Sequence, residues 1–302
     1  MLNGTPYSSP DQISLQFDLI NHMWDKVPYY EFLVHQSQRC REANNCLLDI
    51  RVGPRMEEKV DVYLAADPMA PIVVFVHGGW WRGGTRKEFG ICANGLVRLG
   101  YTVVMADYTL CPQATVPDIS QATRAAIVWA YEHAEQINGD RHRLFVVGHS
   151  AGGQQAAMVA VTDWERYGVP ADIVKGVVPM SGIFDMYPFK SSWLQAWLQL
   201  TGDTVRSESA VLNIPARTPP VLVVLGAEES EEFHRQALLF VDALRERERQ
   251  VEYLDMQGED HSTVVFSMGN PASPVCAALD AFFQRCLGVS AMPSATDREV
   301  SK

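Results

Sequence analysis

The chain has 302 residues, about twice the commonest domain size, which excludes a peptide-sized scaffold and admits two small domains or one large one with a sizeable core. Hydrophobic residues make up 47% and charged residues 20%, the balance of a chain that folds rather than one that stays disordered. Lys plus Arg number 25 against 36 Asp plus Glu, a net charge of −11. That is the wrong sign for neutralising phosphates or sitting on anionic lipid, so neither nucleic acid nor a membrane is an expected partner.

The start, MLNGTPYSSPDQIS, lacks the basic residues and apolar run of a secretory signal, and no stretch approaches about 18 consecutive apolar residues. The cytosol is the compartment this implies. Residues 1–45, amphipathic and interrupted by Pro, read as a helical lead-in. Apolar runs then recur at βαβ spacing: CLLDIRV, KVDVYLA, PIVVFVH, YTVVMAD, RLFVVGH, VKGVVPMSG, PPVLVVLGA and QVEYLDM. Helical patterns fall at Lys87–Leu99, Asp118–Gln136, Gly152–Tyr167 and Glu231–Arg249, with a last helix from near Pro274. Val/Ile-rich runs alternating with helices predict one α/β domain over 46–287, a mostly parallel sheet with helices on both faces.

Within it, residues 183–217 form a longer connection carrying Trp193 and Trp197 at i, i+4 spacing. A connection of this length predicts either a small cap over the carboxyl ends of the strands or a helix packed into the core. The Ser/Pro/charge-rich residues 288–302 read as a mobile tail. Six scattered cysteines without CxxC spacing read as reduced thiols. With no HExxH and no GxxxxGK[ST], neither metal nor cofactor is expected. A small-molecule substrate is, and whether the chain pairs with a second copy of itself stays open.

The chemistry concentrates in few places. Gly148-His149-Ser150-Ala151-Gly152-Gly153 matches G-x-S-x-G between a strand-like and a helix-like run. A nucleophile elbow needs that context, so Ser150 is the candidate nucleophile and the Ala151 N–H, at the helix start, a candidate oxyanion donor. His77-Gly78-Gly79-Trp80-Trp81 follows another strand, and its glycines let backbone N–H groups approach a developing oxyanion, with Gly79 and Trp80 as donors. His77 fixes this loop rather than acting as a base. A serine hydroxyl needs an imidazole, and the imidazole an orienting acid. His261, in QGEDHST after the last strand, is the candidate base. Glu229, in GAEESEEF after PPVLVVL, is preferred over Glu228 as the acid, with Asp185 and Asp260 behind them.

Together HGGWW, GHSAGG, SGIFDMYP, GAEESEEFHRQ and DHST resemble the kynurenine formamidases (arylformamidases) of the α/β-hydrolase superfamily over residues 60–285. The resemblance implies an α/β-hydrolase fold and a serine hydrolase that removes a formyl group from N-formylkynurenine or a similar aryl amine. It also implies an HGG-aromatic-Trp oxyanion loop and an acid just before S-x-x-F, which is Glu229 before Ser230-Glu231-Glu232-Phe233. The acid is usually Asp in that family, and a Phe-Asp pair often follows the histidine where this chain has Ser262-Thr263. A formyl substrate needs a small acyl pocket and an aromatic leaving-group side, for which Trp80, Trp81, Trp193 and Trp197 are candidates. Tyr108-Thr109-Leu110-Cys111-Pro112 echoes the YRLAP stretch of hormone-sensitive-lipase-like esterases, so a short-chain carboxylesterase is the alternative. A non-catalytic binding protein on the same fold ranks below both.

Overall fold

In the computed structural model the described residues are 6–18 and 26–288. The tail expected to be mobile lies outside them from residue 289. All eight apolar runs form strands: β1 (Cys46–Arg51), β2 (Lys59–Tyr63), β3 (Ala70–Val76), β4 (Thr102–Ala106), β5 (Gly139–His149), β6 (Val174–Met180), β7 (Val221–Gly226) and β8 (Val251–Met256). They make one sheet in the order β1-β2-β4-β3-β5-β6-β7-β8. Only β2 runs against its neighbours, antiparallel to β1 and β4, and every other pair is parallel. The continuous Val/Ile/Leu runs are those buried on both faces: β4 and β7 are buried at every residue. Edge strand β1, interrupted by Asp49 and Arg51, is mostly exposed.

The helices are α1 (Pro10–Gln16), α2 (Lys26–Ala43), α3 (Ile91–Arg98), α4 (Val116–Glu132), α5 (Ala151–Ala160), α6 (Gln195–Leu198), α7 (Gly202–Glu208), α8 (Glu231–Glu246), α9 (Thr263–Phe266) and α10 (Pro274–Cys286). Two hydrophobic clusters separate the layers. One holds α4, α5 and α8 with the segment 183–214, and the other holds α3, α9 and α10. The predicted helices lose or gain a turn at their ends for local reasons. α4 begins at Val116 because Thr115 and Asp118 form a reciprocal capping box. α3 begins at Ile91, four residues late, because residues 85–89 close a separate turn, the Glu88 and Phe89 N–H groups donating to the Thr85 carbonyl at 3.0 and 3.2 Å. α5 stops at Ala160, and the Thr162 hydroxyl turns back to donate to the Met158 carbonyl at 2.7 Å.

The topology sets the site. Strand ends pair side by side as Val76 with Gly148, His149 with Met180, Met180 with Val224, and Gly226 with Met256. The residues that follow β3, β5, β6, β7 and β8 therefore emerge along one edge of a parallel sheet, where α/β folds bind ligands. The six thiols are free, and burial pushes those of Cys40, Cys46, Cys111 and Cys286 up to about 11, which makes them inert. Among the described residues no helix is long and apolar enough to cross a membrane.

Candidate active site

Ser150 stands between the end of β5 and the start of α5 with φ 58° and ψ −117°, a conformation that non-glycine residues rarely adopt. Its N–H donates to the Met180 carbonyl at 2.9 Å, pinning the turn to the neighbouring strand. The flanking glycines are required by close approach. A Cβ on Gly148 would lie 1.9 Å from the Gly152 carbonyl oxygen, and one on Gly152 would lie 2.0 Å from that of Val76. α5 is buried along its whole length, and the N–H of Ala151, its first residue, has no intrahelical acceptor.

Glu229 and His261, on the loops after β7 and β8, meet: Nδ1 of His261 lies 2.6 Å from Oε2 of Glu229. The other oxygen, Oε1, accepts from the Gly226 N–H at 3.0 Å and from the Ser181 hydroxyl. The Glu229 side chain is fully shielded from solvent, whereas Glu228 is exposed. The other two candidate acids are occupied elsewhere. Asp260 Oδ1 accepts from the Ser262 and Thr263 N–H groups at 2.7 Å each and so opens α9. Asp185 accepts from the Tyr187 N–H and lies 3.9 Å from Arg235. Burial raises the pKa of its carboxyl.

His149, unassigned by sequence reasoning, ties the elbow to the His261 loop. Its Nε2 donates to the His261 carbonyl at 2.7 Å, and the two rings lie 4.8 Å apart. Burial first, and then the neighbouring His261, push its pKa well below the usual imidazole range, so it is neutral. A carbonyl only accepts, so the proton sits on Nε2.

The loop after β3 lies against the elbow: a Cβ on Gly78 would fall 2.8 Å from the Cβ of Ser150. Gly79, Trp80 and Trp81 all have positive φ, at 119°, 54° and 56°. The Gly79 carbonyl accepts from the Arg82 and Gly83 N–H groups at 3.0 and 2.9 Å, closing the turn. His77 holds this loop, as its sequence context suggests. Its Nε2 lies 3.1 Å from Asp107 Oδ1, and its ring stacks on Tyr108 at 4.4 Å. Behind it the buried Arg86 reaches Asp49, Asp61 and Asp107 together. Burial works against the Asp107 carboxylate, but His77 and Arg86 outweigh it and hold its pKa below the usual range.

Aromatic rings surround His261. Phe233 lies 4.6 Å from it, and Trp80 runs nearly parallel to it at 6.5 Å. Trp193 meets Trp80 edge-on at 6.3 Å, with Trp193 and Trp197 both about two-fifths exposed. The segment 183–217 folds as short helical turns, α6 and α7, anchored by buried Phe184, Phe189 and Leu194. Trp81 departs from its expected lining role. It is fully buried, donates from Nε1 to Gln154 at 3.1 Å and packs edge-on against Phe189, so it belongs to the core.

The N-terminal segment does more than lead in. Phe17, fully buried just after α1, stacks on Phe189 at 4.2 Å and meets Trp80 at 5.8 Å. Ser230 Oγ donates to the Gln16 carbonyl at 2.8 Å, and the Trp193 N–H to Ser14 Oγ at 3.3 Å. Sequence reasoning missed Phe17, Phe189 and His149. The Pro10–Gln16 pattern is too short to show which face is buried.

A parallel sheet with helices on both faces, a serine elbow after its central strand, and an acid and a histidine after the last two strands define an α/β hydrolase. The family described as BD-FAE matches residues 60–244. A kynurenine formamidase from Danio rerio is 30% identical over 236 residues, 76% of this chain and 79% of that protein. Esterase LipC from Mycobacterium tuberculosis is 27% identical over 64% of this chain and 53% of its own length. Among solved structures, the Pyrobaculum calidifontis esterase superposes with a TM-score of 0.70 at 19% identity, covering 94% of this chain and all of that one. The chain belongs to the BD-FAE family and, within the α/β hydrolases, to the group of kynurenine formamidase-like enzymes. It is a hydrolase.

Proposed function

We propose that the enzyme removes a small acyl group, formyl in the first instance, from an aryl amine such as N-formylkynurenine, with Ser150 as nucleophile, His261 as base and Glu229 as its orienting acid. The observation that carries this reading is the 2.6 Å contact between His261 Nδ1 and a shielded Glu229, set beside the serine elbow. With Nδ1 donating to the carboxylate, Nε2 keeps its lone pair and takes the Ser150 proton as Oγ attacks the acyl carbon. The oxyanion is met by the N–H groups of Gly79, Trp80 and Ala151, fixed before the reaction by the closed turn and the helix start. His261 then gives its proton to the departing amine. Water, deprotonated by the same nitrogen, splits the formyl ester, releasing formate and restoring Ser150.

The formamide substrate is favoured by the likeness to kynurenine formamidases along most of both chains and by the aromatic surround of His261. The aromatic ring of the leaving group fits beside Trp80, Phe233 and the cap segment with Trp193 and Trp197. The esterase reading draws on the likeness to LipC and keeps every residue in the same role. Steady-state hydrolysis of N-formylkynurenine beside p-nitrophenyl acetate and butyrate separates them. A kcat/KM above about 10⁴ M⁻¹s⁻¹ on the formamide, with poor ester turnover, is the expected result. Turnover of the esters alone would make the enzyme a carboxylesterase.

A further inference from the structure

Arg82 is exposed and lies one turn beyond the proposed oxyanion donors, its N–H closing the turn on Gly79. Its guanidinium lies 4.4 Å from the Trp197 ring and 5.4 Å from the Trp193 ring. From there a row of rings runs inward: Trp193 to Trp80 at 6.3 Å, then Trp80 to His261 at 6.5 Å. Exposure falls along that row, from the half-open Trp193 to the nearly closed His261. Arg82 therefore stands where this row opens to solvent.

Among the described residues no carboxylate pairs with Arg82. That is notable in a chain with 36 acids against 25 bases, where Arg86 gathers three carboxylates and Arg235 lies between two. A guanidinium lying over aromatic rings keeps its N–H edge free, and that edge is the fork that matches a carboxylate. An otherwise negative protein would repel an anionic substrate, so an exposed cation at this opening has a selective effect.

We propose that Arg82 is a specificity residue that binds an anionic group, a carboxylate, on the leaving-group side of the substrate. The preferred substrates are then aryl formamides or esters that carry a carboxylate. Its formamide half rests on the function proposed above. The alternative is a strut, in which Arg82 only braces the two tryptophans.

The test compares kcat/KM for 2- and 4-formamidobenzoate with formanilide, and for 4-acetoxybenzoate with phenyl acetate, in the wild type, Arg82→Gln and Arg82→Lys. The wild type should prefer the charged member of each reacting pair, and Arg82→Gln should lower the charged-to-neutral ratio about 10- to 100-fold through KM. Arg82→Lys should restore only part of it, since an ammonium keeps the charge and loses the fork. In the wild type, 0.5 M NaCl should shrink the ratio severalfold, a reading that needs no variant. A ratio unchanged by both Arg82→Gln and salt would overturn the proposal and leave the strut. Esters showing the Arg82-dependent ratio while the formamides stay inert would sink the formamide reading and uphold the anion site.

Discussion

Glu229 uses its two oxygens differently. Oε1 is committed to two donors, the Gly226 N–H and the Ser181 hydroxyl, while Oε2 faces His261 Nδ1. In Glu229→Gln the amide oxygen stays with those donors, so the NH₂ faces Nδ1 and donates to it. The imidazole then carries its proton on Nε2 and cannot accept one from Ser150. The expected fall in kcat is about 10²- to 10⁴-fold with the fold intact by circular dichroism. Glu228→Gln, at an exposed side chain, should change kcat by less than about twofold. A crippling Glu228→Gln beside a mild Glu229→Gln would move the acid by one residue. Ser150→Ala should remove about 10³- to 10⁶-fold of the rate without loss of folding. Gly79→Ala tests the oxyanion loop, because its Cβ would sit 2.1 Å from the Gly83 carbonyl oxygen at a φ of 119°. Moving the loop should cost about 10²- to 10³-fold in kcat.

α1 is where local sequence and tertiary role part company. Its seven residues are capped by Ser9 and place Phe17 among Phe189, Trp80 and Phe233. Phe17→Ala should destabilise the protein by about 3–5 kcal/mol and lower kcat/KM more than Phe17→Leu, because Trp80 loses an edge contact beside His261. Chemical denaturation and steady-state rates on both variants read this. Equal kinetics in the two would mean α1 packs without shaping the site. The inner strands β3, β4, β6 and β7 were legible because each is a short, nearly unbroken apolar run, which the two-sided burial of a parallel sheet demands. The elbow, the HGG loop and His261 were legible because chain order and strand context constrain them. What escaped depends on tertiary contact. Trp80 and Trp81 are indistinguishable as letters, yet the tight left-handed turn puts one beside His261 and the other in the core. His149 fills the variable position of the elbow motif, and only the folded chain shows it bonding the His261 carbonyl.

The whole molecule carries its charge unevenly, and two buried groups make that measurable. Arg86 joins β1, β2 and the end of β4 to the oxyanion loop through Asp49, Asp61, Asp107 and His77. Arg86→Met would strand two buried carboxylates, so a loss of about 3–5 kcal/mol in denaturant unfolding is expected. His149 adds a pH dependence of definite sign. Its folded pKa is depressed by burial and by His261, while in the unfolded chain it returns to about 6.5. Below that value the unfolded state binds a proton the native state refuses, so stability is lost as pH falls. The loss should approach about 1.4 kcal/mol for each pH unit below about 6.5. Asp185 and Glu208, whose carboxyls burial shifts upward, act in the opposite direction, so the total curve mixes signs. The difference between wild type and His149→Gln removes those shared terms, since glutamine does not titrate and its amide can still donate to the His261 carbonyl. That difference should be flat above pH 7.5 and should shift steadily against the wild type between pH 6.5 and 5. Parallel curves across that window would mean His149 accepts its proton inside the folded protein, and the neutral bridge between the serine elbow and the His261 loop would have to be abandoned.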